Sequence, residues 1–369
     1  MKPERVTAGF IPLIDAAPLI VAHELGFAEE AGIELALVRE SSWATLRDRI
    51  AVGHLEAAHL LAPIAISGSI GLPPLPVSVI APLALGTGRN AITVSLALAE
   101  NLARHGELNG NAGLIGQALK ALADERGPGD KVTIAVVHPF SAHAYFLNYW
   151  LRGCGIRPNE DVVVEVLPPS LMVDALKSGR IDACCVGEPW NTVAQNEGVG
   201  RAVVACDDIW SANPDKILGV RKKWAEDHPD MVLKIVRSVF QAAKWCDQSK
   251  NRDRLIDILS QPQYLSLPSD QVRRSLDEDY LHFGQTTVRA SFARPGATYP
   301  SAQHGLWFYN QMIENGQLTH DKRNIQSIID MYRPEIYREA LADFKDADGE
   351  EMSASSTFFD GRAFEPSIV

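Results

Sequence analysis

The hydrophobic positions of the first sixty-odd residues change period from segment to segment. Val6 to Phe10 is a short apolar run that predicts a strand, Leu19 to Phe27 predicts a compact helix, and Ile33 to Val38 alternates as a second strand. Polar punctuation falls between them. Asp15 reads as a helix cap, Pro18 suits a first helical turn, and Ser41 or Ser42 caps the helix that opens with Trp43, Ala44 and Thr45. A third apolar run, from Leu55 towards Pro63, completes the order strand, helix, strand, helix, strand. The loops after these strands aim helix N-termini at one crevice, and their free amide groups attract anions.

Further along, Val77 to Leu85 predicts another strand, which Gly86-Thr87-Gly88 breaks at a candidate crossing into a second domain. Ala91 to Leu96 continues as strand, helices are expected around Leu98 to Arg104 and Gln117 to Ala123, and Gly127-Pro128-Gly129-Asp130 is a turn. A regular rhythm follows: strand Val132 to Val137, helix Ala142 to Arg152, strand Val162 to Leu167, helix Leu171 to Lys177, strand Ile181 to Val186. Helix Pro189 to Asn196 and strand Arg201 to Cys206 complete it. Such alternation implies parallel strands with crossover helices. The chain crosses back near Asp207 to Pro214, and the remainder reads as mostly helical. Met231 to Cys246 sets Val232, Ile235, Val236, Val239, Phe240 and Ala243 on one face, and Ser301 to Asn315, Asn324 to Met331 and Pro334 to Phe344 are further helices before a polar tail, Asp346 to Ser355. The expected architecture is an α/β fold of two lobes. Residues 1–87 and 211–369 form lobe 1 with the C-terminal helices, residues 88–210 form an inserted lobe 2, and two crossings make the hinge. Ligands of open α/β sheets sit outside the carboxyl ends of the strands, so the cleft between lobes is the expected site.

Composition narrows the function. With 369 residues, 46% hydrophobic and 22% charged, the chain can bury a large core. A net charge of −11, with no basic run longer than Arg221-Lys222-Lys223, argues against direct nucleic-acid binding. Five cysteines, an odd number that includes the vicinal pair Cys184-Cys185, do not make a secreted disulfide framework. Met1-Lys2-Pro3-Glu4 leads at once into a strand, which reads as a cytoplasmic start, and no apolar run reaches the length of a membrane span. There is no Walker loop, no Gly-x-Ser-x-Gly and no Cys-x-x-Cys, so neither an enzyme nor a cofactor is expected. Asp15, His59 and Glu188 are conceivable metal ligands from separate strands, but their spacing carries no signature, and no metal is expected.

Several motifs together carry a resemblance. Gly9-Phe10-Ile11-Pro12-Leu13-Ile14-Asp15-Ala16-Ala17-Pro18, Ser42-Trp43-Ala44, Val186-Gly187-Glu188-Pro189-Trp190-Asn191, Asp208-Ile209-Trp210 with Asn213-Pro214-Asp215-Lys216-Ile217-Leu218-Gly219-Val220, and Phe358-Phe359-Asp360-Gly361 span nearly the whole chain in order. The chain thereby resembles the nitrate and bicarbonate solute-binding proteins of ABC transporters. The resemblance implies a type II periplasmic-binding-protein fold with an interdomain ligand cleft. It also implies a nitrate pocket made of Trp43, Asn90, His143 and Lys216, with Asp15, Glu188 and Trp190 behind it. Lys216 discriminates, because the bicarbonate-binding relatives carry an acid there. Arg89 and His138 are the rivals of Asn90 and His143, and Ser141-Ala142 departs from the family's Gly-Thr before the histidine. The start without a leader is similar to the NasS-type cytoplasmic nitrate and nitrite sensors, which hold a NasT-type RNA-binding antiterminator inactive until ligand arrives. The alternatives are the substrate-binding subunit of an importer, partnered by an ABC permease and ATPase, and an enzyme akin to the thiamine-pyrimidine synthases.

Overall fold

Among the described residues ten strands follow one another: β1 (Glu4–Phe10), β2 (Ile33–Arg39), β3 (Ala57–Leu61), β4 (Val79–Ala84), β5 (Asn90–Ser95), β6 (Thr133–Val136), β7 (Val163–Val166), β8 (Ala183–Gly187), β9 (Gly200–Ala205) and β10 (Lys216–Arg221). The computed structural model describes residues 4–73, 76, 78–211, 213–214, 216–277, 291–344 and 356–364. The polar tail expected at 346–355, and Asp215 beside Lys216, lie outside these described residues.

The strands form two five-stranded sheets, ordered β2-β1-β3-β10-β4 and β7-β6-β8-β5-β9. The two sheets repeat one plan. In each, three parallel strands lie beside a fourth that runs against them, β10 in the first sheet and β5 in the second, with β4 or β9 at the far edge. The expectation of parallel strands therefore holds for only part of each sheet. The reason is geometric: a chain arriving from the other sheet enters at the cleft end, where the parallel strands finish, and can only run back against them. Lys216, first in β10, accordingly pairs with Leu61 at the end of β3, and Asn90, first in β5, pairs with Gly187 at the end of β8. β10 itself lies in a region expected to be mostly helical; it is instead an inner strand of the first sheet.

Helices cover the sheets much as the hydrophobic spacing requires. The helix Pro229–Cys246 buries Val232, Ile235, Val236, Val239, Phe240 and Ala243 and packs on the helix Ala17–Glu24. The helix Ala302–Glu314 lies against both Ala62–Ser69 of the first half and Ala142–Gly153 of the second. Residues 356–364 also reach the second half: Phe358 and Phe364 stack on Trp210 at 5.0 and 4.8 Å between ring centroids, and Trp210 Nε1 donates to Ser356 Oγ at 3.0 Å. The C-terminal region thus contributes to both halves, joining them by aromatic packing. All five cysteines are free thiols, and among the described residues no helix is long and apolar enough to cross a membrane.

Candidate functional site

The first crossing, Leu85-Gly86-Thr87-Gly88-Arg89, is a tight turn with left-handed backbone at Gly86, Gly88 and Arg89, where φ is 88°, 76° and 70°. A side chain at Gly86 would place its Cβ 2.6 Å from the Ser291 carbonyl oxygen, so only glycine fits. Thr87 bridges to Pro214 of the returning crossing and exchanges backbone hydrogen bonds with Ser291 at 2.9 and 3.2 Å. Asp247, just beyond the helix Pro229–Cys246, fixes that partner segment by accepting from Ser291 Oγ at 2.6 Å, Phe292 N at 3.0 Å and Ala293 N at 2.7 Å. A small cavity opens where these segments meet. Asp15, Lys216, Arg89, Phe292 and the Gly86-Thr87-Gly88 turn bound it.

Lys216 is 1% exposed, and its Nζ lies 2.7 Å from Asp15 Oδ2 and 3.3 Å from Asn90 Oδ1. Gly187 makes room for this meeting, because a Cβ there would stand 3.1 Å from Asn90 Oδ1 and 3.7 Å from Lys216 Nζ. On its other oxygen Asp15 meets His59 Nε2 at 2.9 Å, an ion-pair contact without hydrogen-bond alignment. Burial alone would raise the Asp15 carboxyl, but Lys216 and then His59 outweigh it and hold the group well below the ordinary carboxylate range. Asp15 is therefore not the helix cap the sequence suggested. It sits in the short 3-10 turn Ile14–Ala16, and the helix Ala17–Glu24 begins with Pro18 in its first turn and no side-chain cap. A buried ammonium draws the carboxylate more strongly than backbone amides do.

Trp43 opens the helix Trp43–Ala51, which Ser42 caps by accepting from Thr45 N at 3.2 Å. Its ring lies 5.3 Å from the His59 ring. His143 sits in the first turn of Ala142–Gly153, capped by Ser141 Oγ accepting from Ala144 N at 3.1 Å. Its imidazole is held well below its usual pKa of 6.5, first by burial and then by the Lys216 charge, so it is neutral. Trp43 Nε1 and both His143 ring nitrogens are buried with no hydrogen-bond partner among the described residues. A buried donor left unsatisfied costs about 1–3 kcal/mol, so this wall is poised to donate to a ligand that accepts.

Of the residues singled out in the sequence, Asn90, Lys216 and Asp15 meet directly. His143 lies close enough for the charges of Lys216 and Asp15 to act on its ring, and Trp43 joins through His59. His138 turns to its own loop, where its Nδ1 accepts from Phe140 N at 3.0 Å; burial and then Arg47 push its pKa down to about 4. Glu188 is buried, accepts from Thr192 N at 3.4 Å, and is pushed up to about 7 by burial. Its backbone carbonyl accepts from Ile14 N at 2.9 Å, linking the halves. Trp190 is half-buried, and neither it nor Glu188 bounds the cavity, nor do Trp43, Asn90 and His143, so that of the four expected nitrate ligands only Lys216 borders it. His59 is the residue whose place the sequence did not reveal. As the second partner of Asp15 it is a lone polar residue in the buried strand β3, Ala57–Leu61, and that position was the available signal. Among the described residues, no three His, Cys, Asp or Glu side chains group as metal ligands.

Comparison with known proteins fits this architecture. Residues 1–260 match the NMT1-like family. The chain is 31% identical to the nitrate/nitrite binding protein NrtA of Nostoc sp. over 99% of its own length and 84% of that protein. It is 33% identical over 97% of its length to the nitrate import ATP-binding protein NrtC of Synechocystis sp., of which it spans only 53%, about half. The crystal structure of the periplasmic nitrate-binding protein NrtA from Synechocystis superposes with a TM-score of 0.86 at 26% identity, covering 98% of this chain and 95% of that one. The chain belongs to the NMT1-like family, among the nitrate- and bicarbonate-type solute-binding proteins of ABC transporters, and has their two-lobed periplasmic-binding-protein fold.

Proposed function

We propose that this chain binds nitrate or nitrite between its lobes and delivers it, as the substrate-binding component, to an ABC permease and ATPase. The observation that carries this reading is a buried ammonium, Lys216 Nζ, held by Asp15 and Asn90 and acting on the His143 ring, beside buried Trp43 and His143 ring nitrogens that have no partner in the protein among the described residues. Nitrate and nitrite have only acceptor atoms, so such donors suit them. Bicarbonate also carries an O–H that needs an acceptor, and Asp15, the one carboxylate at the cavity among the described residues, is already engaged by Lys216 and His59. Asn90 anchors Lys216, and Asp15 orients it. Glu188 and Trp190 support the wall from behind. The lobes divide at 87/88 and 210/211, and closure about these crossings excludes water from the anion.

The importer role is preferred to that of a cytoplasmic sensor holding a NasT-type antiterminator. Relatives that match along nearly the whole chain are named as importer components, whereas the sensor rests on the chain's first residues, which decide neither compartment nor role. An enzyme of the thiamine-pyrimidine synthase type finds no reactive constellation to support it among the described residues.

Titration calorimetry of the purified chain against nitrate, nitrite, bicarbonate with calcium, and an alkanesulfonate tests the ligand. Saturable binding of nitrate or nitrite well below millimolar, with the others weaker, is expected. Preferential binding of bicarbonate with calcium, or of the sulfonate, overturns the assignment. Reconstitution with a nitrate-type ABC permease and ATPase tests the partner: nitrate-stimulated ATP hydrolysis is expected, and nitrate-dependent release of an RNA-binding antiterminator instead would restore the sensor role.

A further inference from the structure

Both ring nitrogens of His143 lack a hydrogen-bond partner among the described residues, so the place of the ring is set by the backbone that carries it. That backbone is the turn from His138 into the helix Ala142–Gly153, and one side chain from far along the sequence holds it on both flanks. Gln317 Oε1 accepts from Tyr145 Oη at 2.8 Å, two residues after His143, and Gln317 Nε2 donates to the Pro139 carbonyl at 3.2 Å, four residues before it. The Pro139 carbonyl can only accept, which fixes the end of the amide that faces it and makes Tyr145 the donor. We infer that Gln317 is a positioning residue for anion binding: its amide spans the turn around His143 and ties it to the half of the protein that carries Lys216 and Trp43. The inference rests on the proposed binding of nitrate or nitrite and adds to it a residue that does not itself touch the anion.

The backbone of Gln317 is firmly held. It follows Gly316, whose left-handed φ of 69° ends the helix Ala302–Glu314. There Gly316 N donates to Ile313 O at 2.9 Å and Gln317 N to Met312 O at 3.0 Å, the paired bonds that close a helix C-terminus. The helix is anchored in turn, because it packs on Ala62–Ser69, the helix after β3, and so does Lys322–Met331, which also touches β4. Those elements belong with the first sheet, whereas Pro139 and Tyr145 belong with the second. The clamp therefore crosses between the halves. Tyr145 is fully buried, and a buried hydroxyl needs its partner. Within the turn, Ser141 Oγ donates to the His138 carbonyl at 2.7 Å and accepts from Ala144 N, which shapes the turn without fixing it against the other half.

Two variants remove the clamp and a third is the control. Gln317→Ala and Tyr145→Phe should each weaken nitrate binding about fivefold or more in calorimetry. The double variant should fall no more than about twofold below the weaker single one, because the two side chains act as one unit. Asn148→Ala breaks a bond of the same kind about one helical turn further on, Asn148 Nδ2 to Asn315 Oδ1 at 2.7 Å, and should stay within about twofold of the natural affinity. A second readout needs no ligand. The nuclear magnetic resonance signals of the His143 ring, identified by their loss in His143→Gln, should move in Gln317→Ala and Tyr145→Phe and stay in place in Asn148→Ala. If the natural protein binds nitrate or nitrite and Gln317→Ala matches it within about twofold, the inference fails while the functional assignment stands. Equal losses in Asn148→Ala and Gln317→Ala, or a loss in Gln317→Ala with the His143 signals unmoved, would overturn the clamp. If the natural protein binds neither anion, the functional assignment itself fails and this inference with it.

Discussion

Lys216 Nζ stands 2.7 Å from Asp15 Oδ2, although the two come from β10 and from the turn after β1, between which the chain forms the whole second sheet. Both side chains are buried, and each offsets the other's charge. Removing one partner of such a pair costs about 3–5 kcal/mol, because a charge is left uncompensated. Lys216→Met should therefore lower unfolding stability by about that amount in urea titrations without ligand. Adding Asp15→Asn to it should recover much of the loss, whereas neither variant should bind nitrate measurably by calorimetry. Equal stability of the single and double variants would show that the pair does not act as a unit.

Glu188 gives stability a pH dependence of predictable sign. Its carboxyl has a pKa raised from 4.5 to about 7 in the folded protein, chiefly by burial, so the folded state keeps a proton that the unfolded chain releases. That stabilisation is whole below 4.5 and is lost as pH rises through about 7. Asp207, likewise raised to about 7 by burial, adds to the same slope. Asp15 acts oppositely: its depressed pKa contributes stability above 3.8 that disappears only in stronger acid. Glu188→Gln should shrink the stability difference between about pH 5 and about pH 8 by on the order of 3 kcal/mol. Urea titrations at the two pH values measure it, and an unchanged difference would mean that Glu188 is ionised in the fold.

The Trp43 indole separates packing from donation. Trp43→Phe keeps an aromatic ring beside His59 but removes Nε1, which has no partner among the described residues. Stability without ligand should change by less than about 1 kcal/mol, since a smaller ring is offset by the loss of an unsatisfied donor. Nitrate affinity should drop about tenfold to a hundredfold, as for a hydrogen bond to an anion. Affinity unchanged with Phe would leave Trp43 as a wall alone.

Much of this was legible in the sequence because it is local. The Ser42 cap, the core face of Pro229–Cys246, the strand that begins near Asn90 and the turn at Gly86-Thr87-Gly88 each follow from a few adjacent residues. What was not legible depends on distant partners. Asp15 reads as a cap because an Asp before a Pro-led helix usually is one, and only the arrival of Lys216 turns its carboxylate away. β10 is obscured because Lys216–Arg221 is short, carries Gly219 and follows a charged loop, and its strand character comes from lying between β3 and β4. The inner antiparallel strands follow from the two crossings, which the sequence shows only as breaks. The nitrate set came from a family resemblance, and the structure adds the contacts among its members, with His59 as the link from Trp43 to Asp15.

The crossing at Gly86 joins stability to binding in one substitution. Its φ is 88°, and a methyl group there would meet the Ser291 carbonyl oxygen at 2.6 Å, a backbone atom that Asp247 and Thr87 hold in place. Gly86→Ala must therefore either strain the turn or push the 291–294 segment outward. The left-handed backbone alone costs about 1–2 kcal/mol, and the contact adds to it. Displacement of Ser291 also moves Phe292, over which Arg89 stacks, so the cavity wall changes with it. Gly86→Ala should unfold several degrees earlier in a thermal scan and bind nitrate more weakly. Gly26→Ala is the control. Gly26 has left-handed backbone, φ 77° and ψ 8°, and nothing within 4 Å of its added Cβ, so it should show the backbone cost without the loss of affinity. Equal affinity in the two variants would mean that the 291–294 segment does not shape the site.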